Sequence, residues 1–369
     1  MTESSNSEKQ LIILGNGFDL QSGLKSRFRD FFQWKFDLSK QSVSEIEKIS
    51  NSFRIELQNN NVTIWDVLFY TEGLSDNYLW VDVEKRIKEF LLDLPRFVVS
   101  YHPYLSHLCN GGFITRKTGD EIFVAMNNII ASRYAAINEK LGSLIDINEK
   151  ADWLNKILFT ELRLLEESYV DFLSEQVRNP SYSYTAYNNV KRIIDLEPRA
   201  ITSRILSFNY TTPIDEALLD RLTIDQYRNI HGTLSERNII IGIDGHEDTS
   251  DGGVSLLGFT KTFRQLNTDR WHDTTGIYIS GNIKVIKIFG HSLGEADYSY
   301  FQAILDKVEI YGGTTVLVFI IRHGGNKEEA YVKVEKLLRK YGTSLDNKDH
   351  GRNLMHKLLL EDRLLFREL

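Results

Sequence analysis

The feature that most constrains this sequence is an apolar run that leads directly into a glycine-rich turn near the amino terminus. Residues 10–14 read QLIIL, and residues 15–20 read GNGFDL. A short apolar run bounded by a turn is typical of a strand buried in a parallel sheet. Glycines after such a strand let backbone N–H groups approach a phosphate, because no side chain stands in the way. The pattern predicts a nucleotide site, although a tight strand-to-helix turn without a ligand fits it equally.

The composition limits the classes of protein to which the chain can belong. Its 369 residues include 44 Lys and Arg against 51 Asp and Glu, a net charge of −7, and no long basic segment. Binding of duplex nucleic acid depends on neutralising phosphates, so this charge balance argues against such a partner. The one cysteine, Cys109, excludes an internal disulfide and a four-cysteine zinc site. We therefore expect a cytoplasmic protein with no signal peptide and no membrane span.

Segments with the apolar character of strands recur along the chain. They are residues 11–14, 205–208, 227–230, 239–243, 285–289 and 316–321. Because helical patterns separate them, they predict an α/β fold with a mostly parallel, Rossmann-like sheet and helices on both faces. Residues 30–199 have helical spacing, which predicts a large helical insertion. We expect a sheet domain over residues 1–29 and 200–327, and helices over residues 328–369.

Polar segments follow four of the predicted strands. They begin at Gly15, Ser207, Asn229 and Phe289. Ligands of parallel α/β sheets bind at the carboxyl ends of the strands, so we expect these segments to meet. There His231 would supply a group that titrates near neutral pH, and Asn209 an amide that fixes a water or a hydroxyl. Taken singly, the two residues also fit a hydrogen-bonded histidine in a turn and an asparagine that holds a turn.

The order of these segments resembles that of the sirtuin superfamily. Its first motif, G-A-G-x-S-x-x-S-G-I-P-x-F-R, is similar to residues 15–24 at both early glycines and at the later S-G pair. Asn209 lies where the family has the asparagine of T-Q-N-I-D, His231 where it has the histidine of H-G, and Ser292 where it has the serine of G-T-S-L. The resemblance implies a sirtuin-like sheet. One departure is Thr211, which replaces the aspartate after the asparagine.

A closer resemblance is to AbiH, a family of bacterial anti-phage proteins that cause abortive infection. The family's segments G-N-G-F-D-L, F-N-Y-T, I-H-G and G-H-S-L look like residues 15–20, 208–211, 230–232 and 290–293. Asp297 and Phe301 follow in the expected helix, and residues 80–84 fit the family's middle region. On these matches the chain is identified as a member of AbiH, which implies phage defence.

Together the resemblances imply an effector that hydrolyses NAD at the bond between nicotinamide and ribose. They imply that Asn209 positions the water or the ribose hydroxyl and that His231 acts as general base. The positions implied to bind the nucleotide are Gly15, Asn16, Gly17, Phe18, Asp19, Ser22, Thr211, Gly290, His291, Ser292 and Asp297. NAD is then the substrate, and we expect no metal, because the histidines show neither H-x-x-x-H nor H-E-x-x-H spacing.

The resemblances also imply roles within the nucleotide site and partners outside it. The amides of Gly15 and Gly17 would hold the diphosphate, and Ser292 with Asp297 would contact the adenosine ribose or a phosphate. The single cysteine cannot build the zinc module of deacylating sirtuins, so we expect no deacylation. A phage-derived trigger or partner protein for the helical insertion and a homo-oligomer are further expectations.

Two other functions compete with NAD hydrolysis. Residues 290–294 fit G-x-S-x-G, the nucleophile elbow of α/β-hydrolases, which would make Ser292 a nucleophile. The partners that follow in chain order are Asp346 or Asp349 and His350 or His356. Their segment has a helical pattern, which argues against a triad. The third function is a sensor that binds NAD or ADP-ribose without turning it over.

Overall fold

A computed structural model describes residues 8–36, 62–72, 83–92, 129, 133–134, 147–214, 216–244, 256–267, 279 and 282–369. The chain forms two compact units. The first comprises Met1–Ser26, Leu173–Ile239 and Thr268–Leu369, and the second Arg27–Phe172 and Ile240–Asn267. Cys109 and residues 80–82 lie outside the described residues. The expected division into sheet domain, insertion and C-terminal helices stays a prediction.

The secondary structure alternates between strands and helices, as the apolar pattern predicts. The strands are β1 (Lys9–Leu14), β2 (Thr202–Ser207), β3 (Ile224–Asn229), β4 (Ile283–Phe289), β5 (Val316–Ile321) and β6 (Leu364–Glu368). The helices are α1 (Asn16–Gln21), α2 (Phe28–Phe36), α3 (Ile64–Glu72), α4 (Ile147–Gln176), α5 (Pro180–Asp195), α6 (Glu216–Arg221), α7 (Lys261–Leu266), α8 (Tyr298–Lys307), α9 (Lys327–Ser344) and α10 (Lys348–Leu360). Short 3₁₀ turns span Leu256–Phe259 and Glu295–Asp297.

The first unit contains a single six-stranded sheet, and all its strands are parallel. The strand order is β3-β2-β1-β4-β5-β6. In the central strand, Ile12 lies opposite Ile205 of β2 and Lys287 of β4. This confirms the α/β fold with a parallel sheet. The connections reverse direction beside β1, which is the place where nucleotide-binding sheets of this order open a crevice at their carboxyl edge.

Helices cover both faces of the sheet. On one face, α8, α9 and α10 bury residues such as Phe301, Leu337 and Leu358 against alternate strand residues such as Ile13 and Phe319. On the other face, the Lys287 ammonium is fully buried and donates to the carbonyl oxygens of Ile193 and Ile194, both at 2.9 Å. Carbonyls in the last turn of a helix lack the usual N–H partner four residues on. Here Ile193 also accepts from the N–H of Leu196 at 3.4 Å, and Ile194 from the Gln10 side chain at 3.2 Å. Burial lowers the pKa of Lys287 to about 8.

Two strand predictions differ from the structure. Residues 239–243 form no strand, because Glu166 and Arg264 satisfy the backbone of Ile241: its N–H donates to the carboxylate at 2.7 Å, and its carbonyl accepts from the guanidinium at 2.8 Å. The charged C-terminal pattern gave no sign of β6. The chain turns at Asp362, whose φ is 54°, and then pairs with β5.

The second unit is helical in its described part and has an aromatic interior. The ring centroid of Phe28 lies 5.5 Å from that of Phe31 and 5.1 Å from that of Phe69. Its buried charges are paired, among them Glu166 with Arg264, whose closest atoms are 2.6 Å apart. No helix in the described part of the chain is both long enough and apolar enough to cross a membrane.

Candidate functional site

The turns after β1 and β4 lie in direct backbone contact at the carboxyl edge of the sheet. The N–H of Gly15 donates to the carbonyl of Phe289 at 3.0 Å, and that of Gly17 to the carbonyl of Gly290 at 2.8 Å. A Cβ atom on Gly17 would lie 2.6 Å from Cα of Gly290, and Gly290 itself has a φ of +73°. These contacts require glycine. The backbone N–H groups of Gly15 and Gly17, which the sequence assigns to a diphosphate, are therefore both hydrogen-bonded within the protein.

Asparagine side chains join the ends of β1, β2 and β3. The Asn209 amide nitrogen donates to the carbonyl of Gly15 at 3.1 Å. The Asn229 amide nitrogen donates to the carbonyls of Asn209 and Thr211, at 2.7 and 2.8 Å. Asn209 therefore lies beside the glycine turn, as its position after β2 predicts. Asn229 was not predicted as a site residue, although a polar last residue of a strand is a signal for one.

Asp19 is buried beneath the end of β2 and is held by two hydroxyl groups. Its carboxylate accepts from Tyr182 at 2.8 Å and from Thr211 at 2.8 and 3.0 Å. Burial raises the pKa of Asp19 to about 7, and the two hydroxyls oppose the rise. The predicted residues Asp19 and Thr211 are thus in contact. Tyr182 comes from α5, and no motif pointed to it.

Asp297 lies between two histidines near the ends of β3 and β4. One carboxylate oxygen is 3.0 Å from Nε2 of His231, and the other is 3.3 Å from Nε2 of His291. Nδ1 of His291 accepts from the N–H of Leu293 at 2.9 Å. In the neutral ring the proton of His291 is therefore on Nε2, directed at Asp297. This geometry holds a carboxylate against His231 in the manner that orients a catalytic imidazole.

Aromatic rings enclose the two imidazoles. The Phe208 ring centroid lies 4.4 Å from that of His291 and 5.5 Å from that of His231, both edge-on. Tyr300 lies 5.6 Å from His231 on another side. His231, enclosed by these rings, is 3 % exposed, and Asn209 is 6 % exposed. The two predicted catalytic residues lie at one edge of the sheet, below its surface.

Three other predicted residues hold α1 in place. Asn16 accepts from the Ser26 hydroxyl and donates to its carbonyl at 3.3 Å. The Ser22 hydroxyl accepts from the side chain of Asn189 at 3.1 Å. Phe18 is fully buried. The structure gives these side chains internal partners, and their contact with a nucleotide stays a prediction.

Ser292 is exposed, and its hydroxyl accepts from the N–H of Gly294 at 3.3 Å. Asp349, His350 and His356 lie on α10, as the helical pattern predicted, and the His350 ring stacks on a tyrosine. In the described residues the Ser292 hydroxyl makes no hydrogen bond to a histidine, so a catalytic triad is not assembled there. Nor does any group of three or more His, Cys, Asp or Glu side chains in those ranges have the arrangement of a metal site.

A cavity of about 730 Å³ opens beside the Asp19 network. Tyr182 and Thr211, which bind Asp19, form part of its wall, and Tyr184, Tyr187 and Tyr210 line it as well. Its volume is in the range typical of small-molecule sites. Tyr210 belongs to the F-N-Y-T segment, whereas Tyr182, Tyr184 and Tyr187 carry no motif, so the fold is needed to reveal this cavity.

Comparison with known proteins gives one match. The family model described as "Bacteriophage abortive infection AbiH" matches residues 11–319. This range includes every residue predicted for the nucleotide site, β1 from Leu11 on, and all of β2 to β4. No curated protein and no solved structure matches the chain.

Proposed function

Because the chain belongs to the bacteriophage abortive infection family AbiH, we propose that it acts in phage defence by hydrolysing NAD at the bond between nicotinamide and ribose. Membership makes it an abortive-infection protein, and the reaction is our inference. The observation that carries it is the pairing of His231 with Asp297 at the sheet edge that also holds Asn209 and Gly15.

The position of these residues suits a dinucleotide. They follow β1, β2, β3 and β4, which are neighbours in the sheet. In open α/β sheets, ligands bind in the crevice outside the carboxyl ends of the strands, where the strand order reverses. The resemblance of the strand-end motifs to sirtuins supports NAD as the ligand. Glycines 15 and 17 shape the crevice, and their predicted contact with the diphosphate would require the hydrogen bonds to Phe289 and Gly290 to open.

In the proposed reaction His231 is the general base. An ionised carboxylate only accepts hydrogen bonds, so the contact with Asp297 places the proton of His231 on Nε2 and the lone pair on Nδ1. A water molecule attacks C1′ of the ribose and gives a proton to Nδ1. This atom is buried in the structure, so the step requires an opening that admits water to it. The bond from C1′ to nicotinamide breaks, and its electron pair moves into the ring. The products are nicotinamide and ADP-ribose.

This chemistry needs few catalytic groups. Nicotinamide is a cationic ring while it is bound to the ribose, and it departs as a neutral molecule. The leaving group therefore requires no strong acid. The ribose passes through a state with oxocarbenium character, in which a positioned water and a fixed carboxamide matter most. Asn209 supplies that carboxamide, held by Gly15. One general base contributes about 10²- to 10⁴-fold in rate.

Release of nicotinamide from NAD tests the proposal. The purified chain is incubated with NAD alone and with extract of phage-infected cells, and nicotinamide is followed by chromatography. We expect His231→Ala to lower the rate about 10²- to 10⁴-fold. Asn209→Ala should lower it as well. The matched control is His350→Ala, since His350 lies on α10 and stacks on Tyr311.

Two results would refute the hydrolysis. One is the absence of nicotinamide release under both conditions. The other is release that neither His231→Ala nor Asn209→Ala diminishes. Tight binding of NAD without turnover in the wild type and in Asn209→Ala would instead indicate a sensor.

A further inference from the structure

The cavity beside the Asp19 network has an aromatic wall built by two separate segments. Tyr182, Tyr184 and Tyr187 come from the first two turns of α5, and Tyr210 follows β2. Residues three apart on a helix lie on the same face, so Tyr184 and Tyr187 are on one face of α5. The wall therefore offers several aromatic faces to one space.

Two of these rings are available to a ligand. Tyr184 is 72 % exposed, and Tyr187 is half-buried. Within the described part of the chain neither ring packs against another aromatic ring. Tyr182, in contrast, is buried and directs its hydroxyl to Asp19. A ring that stacks on Tyr184 and Tyr187 would cover apolar surface that water now covers.

The wall of the cavity is mostly apolar, and its described residues carry no charged side chain. None of the described residues that line it is a lysine, arginine, aspartate or glutamate, and hydroxyl groups such as those of Thr212 and Ser235 supply its polarity. The carboxyl group of Asp19 accepts hydrogen bonds from Tyr182 and Thr211, two residues of this wall. A phosphate would find no cation in this wall, whereas a neutral ring with hydrogen-bonding edges fits it.

We propose that this cavity binds the uncharged purine base of a nucleotide by stacking on Tyr184 and Tyr187. A bicyclic base fills more of the cavity, whose volume is about 730 Å³, than a single ring does. The identity of the nucleotide as NAD rests on the proposed function, but the base site does not. The adenine end would then lie beside β2, and the ribose bond to be cleaved would lie toward His231.

Calorimetry with adenosine tests the base site, because adenosine carries the base without phosphate or nicotinamide. We expect wild-type protein to bind adenosine, and Tyr184→Ala and Tyr187→Ala to bind it about 5- to 100-fold more weakly, the range that stacking of a base on an aromatic ring is worth. Tyr184→Phe keeps the ring and should bind within about twofold of wild type. Tyr331→Ala is the control, since Tyr331 is a partly exposed tyrosine that contacts Phe366 on the sheet.

Failure of the base site and failure of the reaction are distinguishable. No adenosine binding, binding that both alanine variants leave unchanged, or binding of nicotinamide in place of adenosine would overturn the base site. If nicotinamide is released from NAD with an unchanged KM in both alanine variants, the base site is wrong and the reaction stands. If adenosine binds as expected but NAD is never cleaved, the reaction is wrong and the base site stands.

Discussion

Replacing Asp19 by asparagine tests the electrostatics of the network beneath β2. The carboxyl group is buried, and its pKa rises from 3.8 to about 7. For an acid, a raised pKa means that the folded state holds the proton more tightly than the unfolded state. Asp19 therefore costs stability as pH rises from about 4 to about 7. Three pKa units correspond to about 4 kcal/mol in the free energy of unfolding, an upper bound for this residue.

Asparagine keeps the shape and removes the charge. Its carbonyl can accept from Tyr182, and its NH₂ group can donate to the Thr211 hydroxyl, so the network stays satisfied. We expect Asp19→Asn to gain stability over wild type between about pH 4 and pH 7, and to remain more stable by up to about 4 kcal/mol above that range. Urea unfolding of both proteins at several pH values measures the difference.

The control for this experiment is Asp346→Asn, which makes the same substitution at an exposed position outside the buried network. The reasoning is refuted if the stability difference between Asp19→Asn and wild type does not change with pH. It is also refuted if Asp19→Asn is less stable at every pH, since that would mean that the ionised carboxylate stabilises the fold.

Three further predictions follow from the same structure. Gly290→Ala should lower the stability of the protein in thermal denaturation by more than Gly324→Ala does. Both glycines have positive φ, but only at Gly290 would the added Cβ meet the backbone, 2.3 Å from the nitrogen of Phe18. Equal losses of about 1 kcal/mol, the cost of the backbone strain alone, would contradict this. Burial lowers the pKa of Lys287 to about 8, so above that pH the unfolded state holds this proton more tightly than the folded state does. The free energy of unfolding of the wild type should therefore rise from about pH 8 to 10, and Lys287→Met should abolish this rise. A fluorophosphonate probe should not label Ser292, whose hydroxyl is bound to a backbone N–H; covalent capture there, identified by mass spectrometry, would restore the serine hydrolase.

Local pattern predicted most of the sheet but failed at two places, for different reasons. The runs that became β1 and β5 are continuous and apolar because both faces of those strands are buried, and β4 differs only by its lysines, of which Lys287 is buried. The run at residues 239–243 is equally apolar. Its backbone is satisfied by Glu166 and Arg264, which lie far from it in the sequence, so no strand partner is needed. For β6, a short strand after a charged helix carried no local signal.

The order of apolar and polar segments is enough to predict which residues follow the strands, and hence that Gly15, Asn209, His231 and His291 lie at one edge of the sheet. The contacts that each of them makes there depend on the packing of the folded chain. Asp297 binds two histidines, and Tyr182 reaches Asp19 across 163 positions of the chain. A strand's alternation of side chains is local and readable from sequence, whereas partners from different strands and helices are set by packing between segments that are remote in the chain.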